Sequence, residues 1–207
     1  MRTLIAIPAM EQIFTVTAQC MMNLRTVDEV FTQFAVRMPV DVARNMLAKY
    51  ALENEYDRIL WIDSDMTFNG DLMEKLSADI DEGYDLVCGL FFKRKFPVEP
   101  VISKRLQVMP PESEPYLDYP RDTLFPVAGC GFGAVMMRTE ILRDLDEPPF
   151  SLIPGMSEDY SFCARIAQRG RKMACDSRIK VGHVGLSVFS EKLYKHPDEG
   201  GGGDGNI

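Results

Sequence analysis

The sequence has few of the residues that build disulfide frameworks and zinc clusters. Five of its 207 residues are cysteine and two are histidine. The cysteines are scattered, odd in number and never spaced as C-x-x-C, so neither a disulfide framework nor a zinc cluster is expected. Reduced thiols fit a cytoplasmic location, which we therefore expect.

Long apolar runs and an excess of basic residues are also missing. No apolar run is long enough to span a bilayer. The first run, residues 3–7, is too short for a signal peptide and ends at Pro8, which favours a strand. The formal net charge is −8, and an acidic chain lacks the electrostatic footprint of a general nucleic-acid binder. We expect no transmembrane segment and no nucleic-acid partner.

Apolar runs and amphipathic stretches alternate through the first half of the chain. This alternation predicts an α/β fold with a mostly parallel central sheet flanked by helices. We expect one domain over residues 1–197 and a flexible glycine-rich tail over residues 198–207. The predicted strands cover residues 3–7, 31–36, 58–62, 86–92, 98–103, 134–138, 172–175 and 179–181. The predicted helices cover residues 12–23, 40–54, 71–82, 139–145 and 157–170.

Details of three predicted elements are specific enough to test. In the helix over residues 40–54, apolar spacing places Val42, Met46, Leu47 and Tyr50 on the inward face. Thr139 is expected to cap the short helix that follows the strand over residues 134–138. Between residues 97 and 126 the chain is rich in proline, which predicts a long irregular excursion.

Two carboxylates stand one residue apart where the most hydrophobic predicted strand ends, in Asp63-Ser64-Asp65. Ligands of open α/β sheets gather at the carboxyl ends of strands. Two close like charges repel unless a cation compensates, and carboxylate oxygens suit Mg²⁺ or Mn²⁺. The other interpretation is a solvated turn in which both aspartates cap backbone amides.

Two further sites carry titratable groups. Glu158 and Asp159 follow Ser157 at a predicted helix start, where they would favour the helix dipole or supply a general base to an acceptor hydroxyl. His183 lies between two glycines in a short apolar strand. It is either a half-buried histidine with a backbone partner or a group that completes a metal site.

Two weaker motifs leave their alternatives open. Lys93-Arg94-Lys95 follows a predicted strand and either reaches phosphate or an acidic acceptor, or forms a solvated basic turn. The glycine-rich segment over residues 129–133 lacks the strand–turn–helix context of a dinucleotide fingerprint. It forms either a wall of the sugar or acceptor pocket, or a tight turn.

In their order along the chain, these motifs resemble the GT-A glycosyltransferases, specifically small family-two-like bacterial and phage members with a DxD motif. The resemblance covers roughly residues 4–184. It rests on a first strand ending in Ile7-Pro8, then Arg44-Asn45, Ile62-Asp63-Ser64-Asp65-Met66, Gly129-Cys130-Gly131-Phe132-Gly133, Glu158-Asp159 and Gly182-His183.

The resemblance implies a role for each motif. Asp65 and His183 would hold Mn²⁺ or Mg²⁺, with Asp63 reaching the metal through water or contacting ribose. Asp159 would be the acceptor base, assisted by Glu158. The donor would be a nucleotide-diphosphate sugar, bound by a set that the resemblance places at Pro8, Ala9, Arg44, Asp63, Ser64, Asp65, Gly131 and Phe132.

The implied function is metal-dependent sugar transfer to the hydroxyl of a glycan, protein or small molecule, with inversion. No Q-x-x-R-W motif follows Asp159, which favours a non-processive enzyme. Two alternatives remain: a non-catalytic nucleotide-sugar-binding protein and a sugar-phosphate nucleotidyltransferase. The latter usually carries a glycine-rich basic loop after its first strand, and residues 8–17 contain neither glycine nor a basic residue.

Overall fold

Strands that are hydrophobic on both faces form the centre of the molecule. The structure, a computed structural model, describes residues 1–146, 148–185 and 188–196. The predicted tail over residues 198–207 lies outside this part. The helices are α1 (Thr15–Met22), α2 (Val40–Glu53), α3 (Leu72–Asp81) and α4 (Glu158–Gln168), with 3₁₀ turns at Thr139–Asp144 and Glu191–Leu193. Among the described residues, no helix has the length and apolar character needed to cross a membrane.

Thirteen strands are described. They are β1 (Arg2–Ala9), β2 (Glu29–Val36), β3 (Arg58–Ile62), β4 (Met66–Thr67), β5 (Leu86–Leu90), β6 (Ile102–Gln107), β7 (Glu112–Pro115), β8 (Leu124–Pro126), β9 (Gly129–Cys130), β10 (Ala134–Arg138), β11 (Met173–Lys180), β12 (Gly182–Val184) and β13 (Val188–Phe189).

The central sheet has the strand order β2-β1-β3-β10-β5-β11-β8. β1 is parallel to β2 and β3, and β11 is parallel to β5. β10 runs antiparallel to both β3 and β5, so these two share a direction. Only β10 and β8 oppose the others, which confirms the prediction of a mostly parallel sheet. Two small antiparallel sheets, β13-β12-β4 and β7-β6-β9, stand beside it.

Side chains alternate across the sheet and supply two cores. In β3, Ile59 and Trp61 pack with α2 and α4 on one face, whereas Leu60 and Ile62 pack with α3 on the other. All four side chains are fully buried. Burial on both faces explains why this strand reads as a continuous apolar run.

The predicted inward face of α2 is wrong in part. Val42 is 47% exposed and Met46 is 40% exposed, whereas Ala43, Leu47 and Ala48 are buried. Small alanines let the helix approach the sheet closely, so the contact face is rotated away from the larger apolar residues. This rotation also turns Arg44 inward, where it is 2% exposed.

Three other predicted details differ from the structure. The strand predicted over residues 98–103 begins at Ile102 instead, since Pro100 lacks an amide proton and joins only an isolated bridge to Phe92. The two strands predicted over residues 172–181 are one strand, β11, whose register shifts between Asp176 and Lys180. Thr139 caps nothing: the turn there is 3₁₀ and has no side-chain cap.

A buried acid pair links α3 to the sheet. Asp79 is 2% exposed and Asp176 is fully buried, and Arg178 donates to both, from Nη2 to Asp79 at 3.0 Å and from Nε to Asp176 at 2.8 Å. Burial, together with the charge of Asp176, raises the pKa of Asp79 to about 7. Two carboxylates therefore share one cation, and Asp79 keeps its proton to about neutral pH.

This pair predicts a pH-dependent stability. The raised pKa means that the folded chain holds a proton that the unfolded chain releases near pH 4, so the free energy of unfolding falls as pH rises from about 4 to 7. The Asp79→Asn variant lacks this titrating group, so its free energy of unfolding should decrease with pH by on the order of 2 kcal/mol less than that of the wild type. Urea unfolding at pH 5 and pH 8 measures it. The exposed Glu53→Gln serves as a control, and an unchanged fall in Asp79→Asn would contradict the assignment.

Candidate functional site

The Asp63-Ser64-Asp65 turn lies at the C-terminal end of the parallel strands of the central sheet, where β1 and β3 both end. Backbone hydrogen bonds hold it on three sides. The Asp63 amide donates to the Gly133 carbonyl at 3.0 Å, and the Met66 amide closes the turn onto the Asp63 carbonyl at 3.3 Å. The Val184 amide donates to the Asp65 carbonyl at 2.8 Å. The turn is thereby fixed to the start of β10 and to the strand that carries His183.

Asp65 and His183 face each other. The distance from His183 Nε2 to Asp65 Oδ2 is 3.4 Å, and both side chains are 15% exposed. His183 Nδ1 lies 3.0 Å from the backbone carbonyl of Phe92. Because a carbonyl only accepts, Nδ1 must carry the proton, and Nε2 is the ring nitrogen that faces the carboxylate; when Nε2 carries no proton, it presents a lone pair to that carboxylate.

Two acceptors that face each other need a cation or a proton between them. Octahedral Mg²⁺ places neighbouring ligands at roughly 3 Å from one another, close to the 3.4 Å that separates Nε2 from Oδ2. A backbone carbonyl that orients the second ring nitrogen is also the usual support for a metal-binding histidine. Asp65 and His183 could therefore hold a divalent ion between them.

Asp63 is engaged elsewhere. Its Oδ1 accepts from Arg44 Nη2 at 3.0 Å, and Arg44 Nε donates to Glu158 Oε1 at 3.2 Å. Among the described residues, no three histidine, cysteine or acidic side chains cluster as a metal-binding group. The structure thus brings together two of the three predicted metal ligands and turns the third, Asp63, towards Arg44.

Arg44 lies in an aromatic and acidic cage. Its guanidinium carbon lies 5.5 Å from the ring centroid of Trp61 and 5.2 Å from that of Phe132. Burial opposes the guanidinium charge, yet Asp63 and Glu158 outweigh it and raise the pKa of Arg44. For Asp63, burial and the neighbouring charges of Asp65 and Glu158 outweigh Arg44 and raise its pKa.

Arg44 and Phe132 were both expected to bind the donor, and their burial is at odds with direct contact. Arg44 is 2% exposed and Phe132 is 1% exposed. Phe132 packs against Trp61, Phe150 and Phe162 in the core, so it supports Arg44 from below and offers no surface to a ligand. Arg44 in turn holds the carboxylates around it.

Asp159 lies in the first turn of α4. Its Oδ1 accepts two hydrogen bonds, and no described residue donates to its Oδ2. Oδ1 accepts from the Ser157 hydroxyl and from the Tyr160 amide, the latter at 2.7 Å. Oδ2 faces Gly131, where an added Cβ would lie 3.4 Å from it. Burial, then the charge of Glu158, raises the pKa of Asp159 to about 6. A half-buried carboxyl with this pKa suits proton transfer near neutral pH.

Gly131 is required by its surroundings. A Cβ at this position would lie 2.7 Å from side-chain carbons of both Phe91 and Val101. The glycine-rich segment is therefore closely packed beside Asp159, and none of its residues lines the aspartate cavity or the hairpin cavity described next.

Two cavities open on these groups. The first, of about 350 Å³, is called here the aspartate cavity and is lined by Pro8, Ala9, Met10, Met38, Val40, Asp63, Ser64, Asp65, Arg94 and His183. The second, of about 330 Å³, is called the hairpin cavity because β7 and its turn form one side. Its lining includes Lys93, Val101, Pro111, Glu112, Ser157, Asp159 and Tyr160. Arg44 bonds Asp63, which lines the aspartate cavity, and Glu158, which precedes the hairpin-cavity residue Asp159.

Arg94 belongs to the basic run for which the sequence left two interpretations open, and it lies in the candidate site. Its Nη1 lies 2.8 Å from Asp65 Oδ2 and 3.2 Å from the Val184 carbonyl. Burial raises the pKa of Asp65, but His183 and Arg94 outweigh it and lower that pKa. The basic run over residues 93–95 was the available signal, but charge alone does not separate a ligand from a solvated turn.

The mostly parallel seven-stranded sheet and its likeness to solved structures define a GT-A fold. Among the solved structures that share it are two that each match 89% of this chain. A197 from STIV matches over 86% of its own length with a TM-score of 0.68 and 22% identity. GalNAc-T7, solved with UDP, GalNAc and Mn²⁺, has a TM-score of 0.62 and 12% identity, and this chain spans 44% of it. No protein-family model and no curated protein matches the sequence.

The Arg44 cage predicts a specific loss of stability. Arg44→Met leaves Asp63 and Glu158 without their shared cation, and we expect a loss of about 2–4 kcal/mol in the free energy of unfolding. Lys49→Met on the same helix removes an exposed pair with Glu53 and should cost under about 0.5 kcal/mol. Urea unfolding at pH 7.5 compares the two, and equal small losses would show that the cage contributes little.

Proposed function

We propose that this chain transfers a sugar from a nucleotide-diphosphate donor to an acceptor hydroxyl with the help of a divalent metal ion. One observation carries the proposal. At the C-terminal end of the β-strands of a GT-A sheet, the Asp65–His183 pair lines one cavity and Asp159 lines another, and Arg44 bonds both Asp63 in the first cavity and Glu158, the neighbour of Asp159 in α4. A cation site beside a positioned base is what sugar transfer from a diphosphate requires.

The aspartate cavity is assigned to the donor. Asp65 and His183 would hold Mn²⁺ or Mg²⁺, and a bound ion would supply Lewis-acid stabilisation of the departing diphosphate. Pro8 and Ala9, at the end of β1, line the same cavity and would border the nucleotide base. GalNAc-T7, which shares the fold, was solved with UDP, GalNAc and Mn²⁺, and this supports the donor class.

The hairpin cavity is assigned to the acceptor. Asp159 Oδ2 takes the proton of the acceptor hydroxyl while the hydroxyl oxygen attacks the anomeric carbon and the bond to the diphosphate oxygen breaks. Glu158 is held by Arg44, so of these two carboxylates Asp159 has the freer oxygen. A base that deprotonates the attacking hydroxyl directly gives inversion at the anomeric carbon.

The remaining proposals follow the sequence. We infer a single catalytic domain over residues 1–197 and transfer of one or a few sugars, because no processive motif follows Asp159. A catalyst and a non-catalytic nucleotide-sugar binder differ in one measurable property, since only the catalyst hydrolyses its donor slowly when water replaces the acceptor.

Donor binding should stabilise the fold through the metal site. In a thermal-shift screen with Mn²⁺ and UDP-, GDP-, CDP- or dTDP-sugars, the correct donor at 100 times its Kd should raise Tm by about 5–10 °C. Asp65→Ala should abolish the shift, because it removes a ligand of the metal. Asp118→Ala, which removes an exposed carboxylate paired with Lys104, should retain the full shift. The absence of any shift in the wild type would reject the proposed donor class.

The base assignment predicts a pH profile. Because the pKa of Asp159 is raised to about 6, its carboxylate is present above this pH, and kcat/KM for donor hydrolysis should rise with pH through about 6. Asp159→Asn should lower the rate by about 10²–10⁴-fold and remove this limb. Hydrolysis is followed by release of the nucleoside diphosphate. A near-normal rate in Asp159→Asn would contradict the assignment, as would a limb that survives the substitution.

A further inference from the structure

Arg94 forms an ion pair with the Asp65 carboxylate that would bind a metal ion. Its Nη1 lies 2.8 Å from Asp65 Oδ2, and His183 Nε2 lies 3.4 Å from the same atom. That oxygen therefore faces two nitrogens, of which only the guanidinium is a permanent cation. In this structure Arg94 supplies the positive charge that the Asp65–His183 pair requires.

The backbone around Arg94 is fixed while its side chain is accessible. Lys93 closes the loop at its base, with its amide 2.9 Å from the Glu99 carbonyl and its ammonium 2.7 Å from the Glu99 carboxylate. The preceding residue, Phe92, accepts from His183. The Arg94 side chain is 45% exposed, so it can leave Asp65 without unfolding the loop.

A divalent ion and a guanidinium on the same carboxylate oxygen would repel one another across a few ångströms. The arriving ion therefore favours release of Arg94. A diphosphate in the aspartate cavity offers the released side chain a new partner, because guanidinium groups bind phosphate through paired, charge-assisted hydrogen bonds.

We infer that Arg94 is a displaceable cation: it neutralises Asp65 when the metal is absent and moves to the diphosphate when metal and nucleotide bind. The inference rests on the proposed donor site. It has a thermodynamic consequence, because a side chain that opposes the metal alone and favours the diphosphate makes the two ligands bind cooperatively. Metal alone should bind weakly, and metal with diphosphate should bind tightly.

Calorimetric titration with Mn²⁺ alone tests the first half. Arg94→Ala removes the competitor and should tighten Mn²⁺ binding by about two- to fivefold, the range for partly exposed ion pairs. Arg94→Lys retains a charge and should remain near wild type. Lys95→Ala, which makes the same charge change on the next residue, should also remain near wild type. Equal Mn²⁺ affinity in Arg94→Ala and the wild type, or equal tightening in Lys95→Ala, would overturn the inference.

Pyrophosphate, titrated at saturating Mn²⁺, tests the second half without depending on the nucleotide base. Arg94→Ala should weaken pyrophosphate binding by about tenfold or more, as expected for a lost charge-assisted contact, and Lys95→Ala should leave it unchanged. Unchanged pyrophosphate affinity in Arg94→Ala would overturn the transfer of Arg94 to the diphosphate.

These binding measurements are separable from catalysis. Tighter Mn²⁺ binding in Arg94→Ala, together with no donor hydrolysis in the wild type, would support displacement of Arg94 by the metal and reject the proposed transferase activity. Mn²⁺-dependent hydrolysis in the wild type, with no change of Mn²⁺ affinity in Arg94→Ala, would reject the displacement of Arg94 and leave the proposed activity standing. Thermal melts of all three variants confirm that each remains folded.

Discussion

The candidate site depends on one buried guanidinium. Arg44 reaches from α2 to Asp63 at 3.0 Å and to Glu158 at 3.2 Å, with aromatic rings of Trp61 and Phe132 beneath it. Without this cation, the end of β3 and the start of α4 would bring carboxylates together with nothing to offset their repulsion. The end of β3 and the start of α4 can therefore be neighbours because Arg44 bonds a carboxylate of each. Its alanine neighbours on α2 allow the close approach that buries it.

The carboxylates of the site differ in what holds them, and this difference separates their proposed roles. Asp63 and Glu158 are bound to Arg44, Asp65 faces His183 and Arg94, and Asp159 lines the hairpin cavity with one oxygen bound to Ser157 and Tyr160. Similar groups thereby acquire pKa values shifted in opposite directions, lowered for Asp65 and raised to about 6 for Asp159. Such divergence suits a cation ligand in one case and a proton acceptor in the other.

Much of the fold was predictable because local patterns and the tertiary environment agree. β3 and β10 have the predicted bounds, since both are apolar on each face and end at abrupt changes of polarity. Predictions were wrong where tertiary packing, and not the local sequence pattern, decided the structure. In α2, close approach to the sheet favoured alanine over larger apolar residues at the contact, and near β6 the prolines displaced the start of the strand.

The sequence by itself determined the α/β class and the mostly parallel sheet, and it marked Asp65, Asp159 and His183 as candidates, because strand periodicity and short motifs are local properties. The tertiary structure decided how those residues are partnered. That Asp63 turns to Arg44, that Phe132 is core, and that Arg94 reaches Asp65 across 29 positions of the sequence all depend on contacts between distant segments. Composition and spacing carry no record of such contacts, since charge attracts through space and not along the chain.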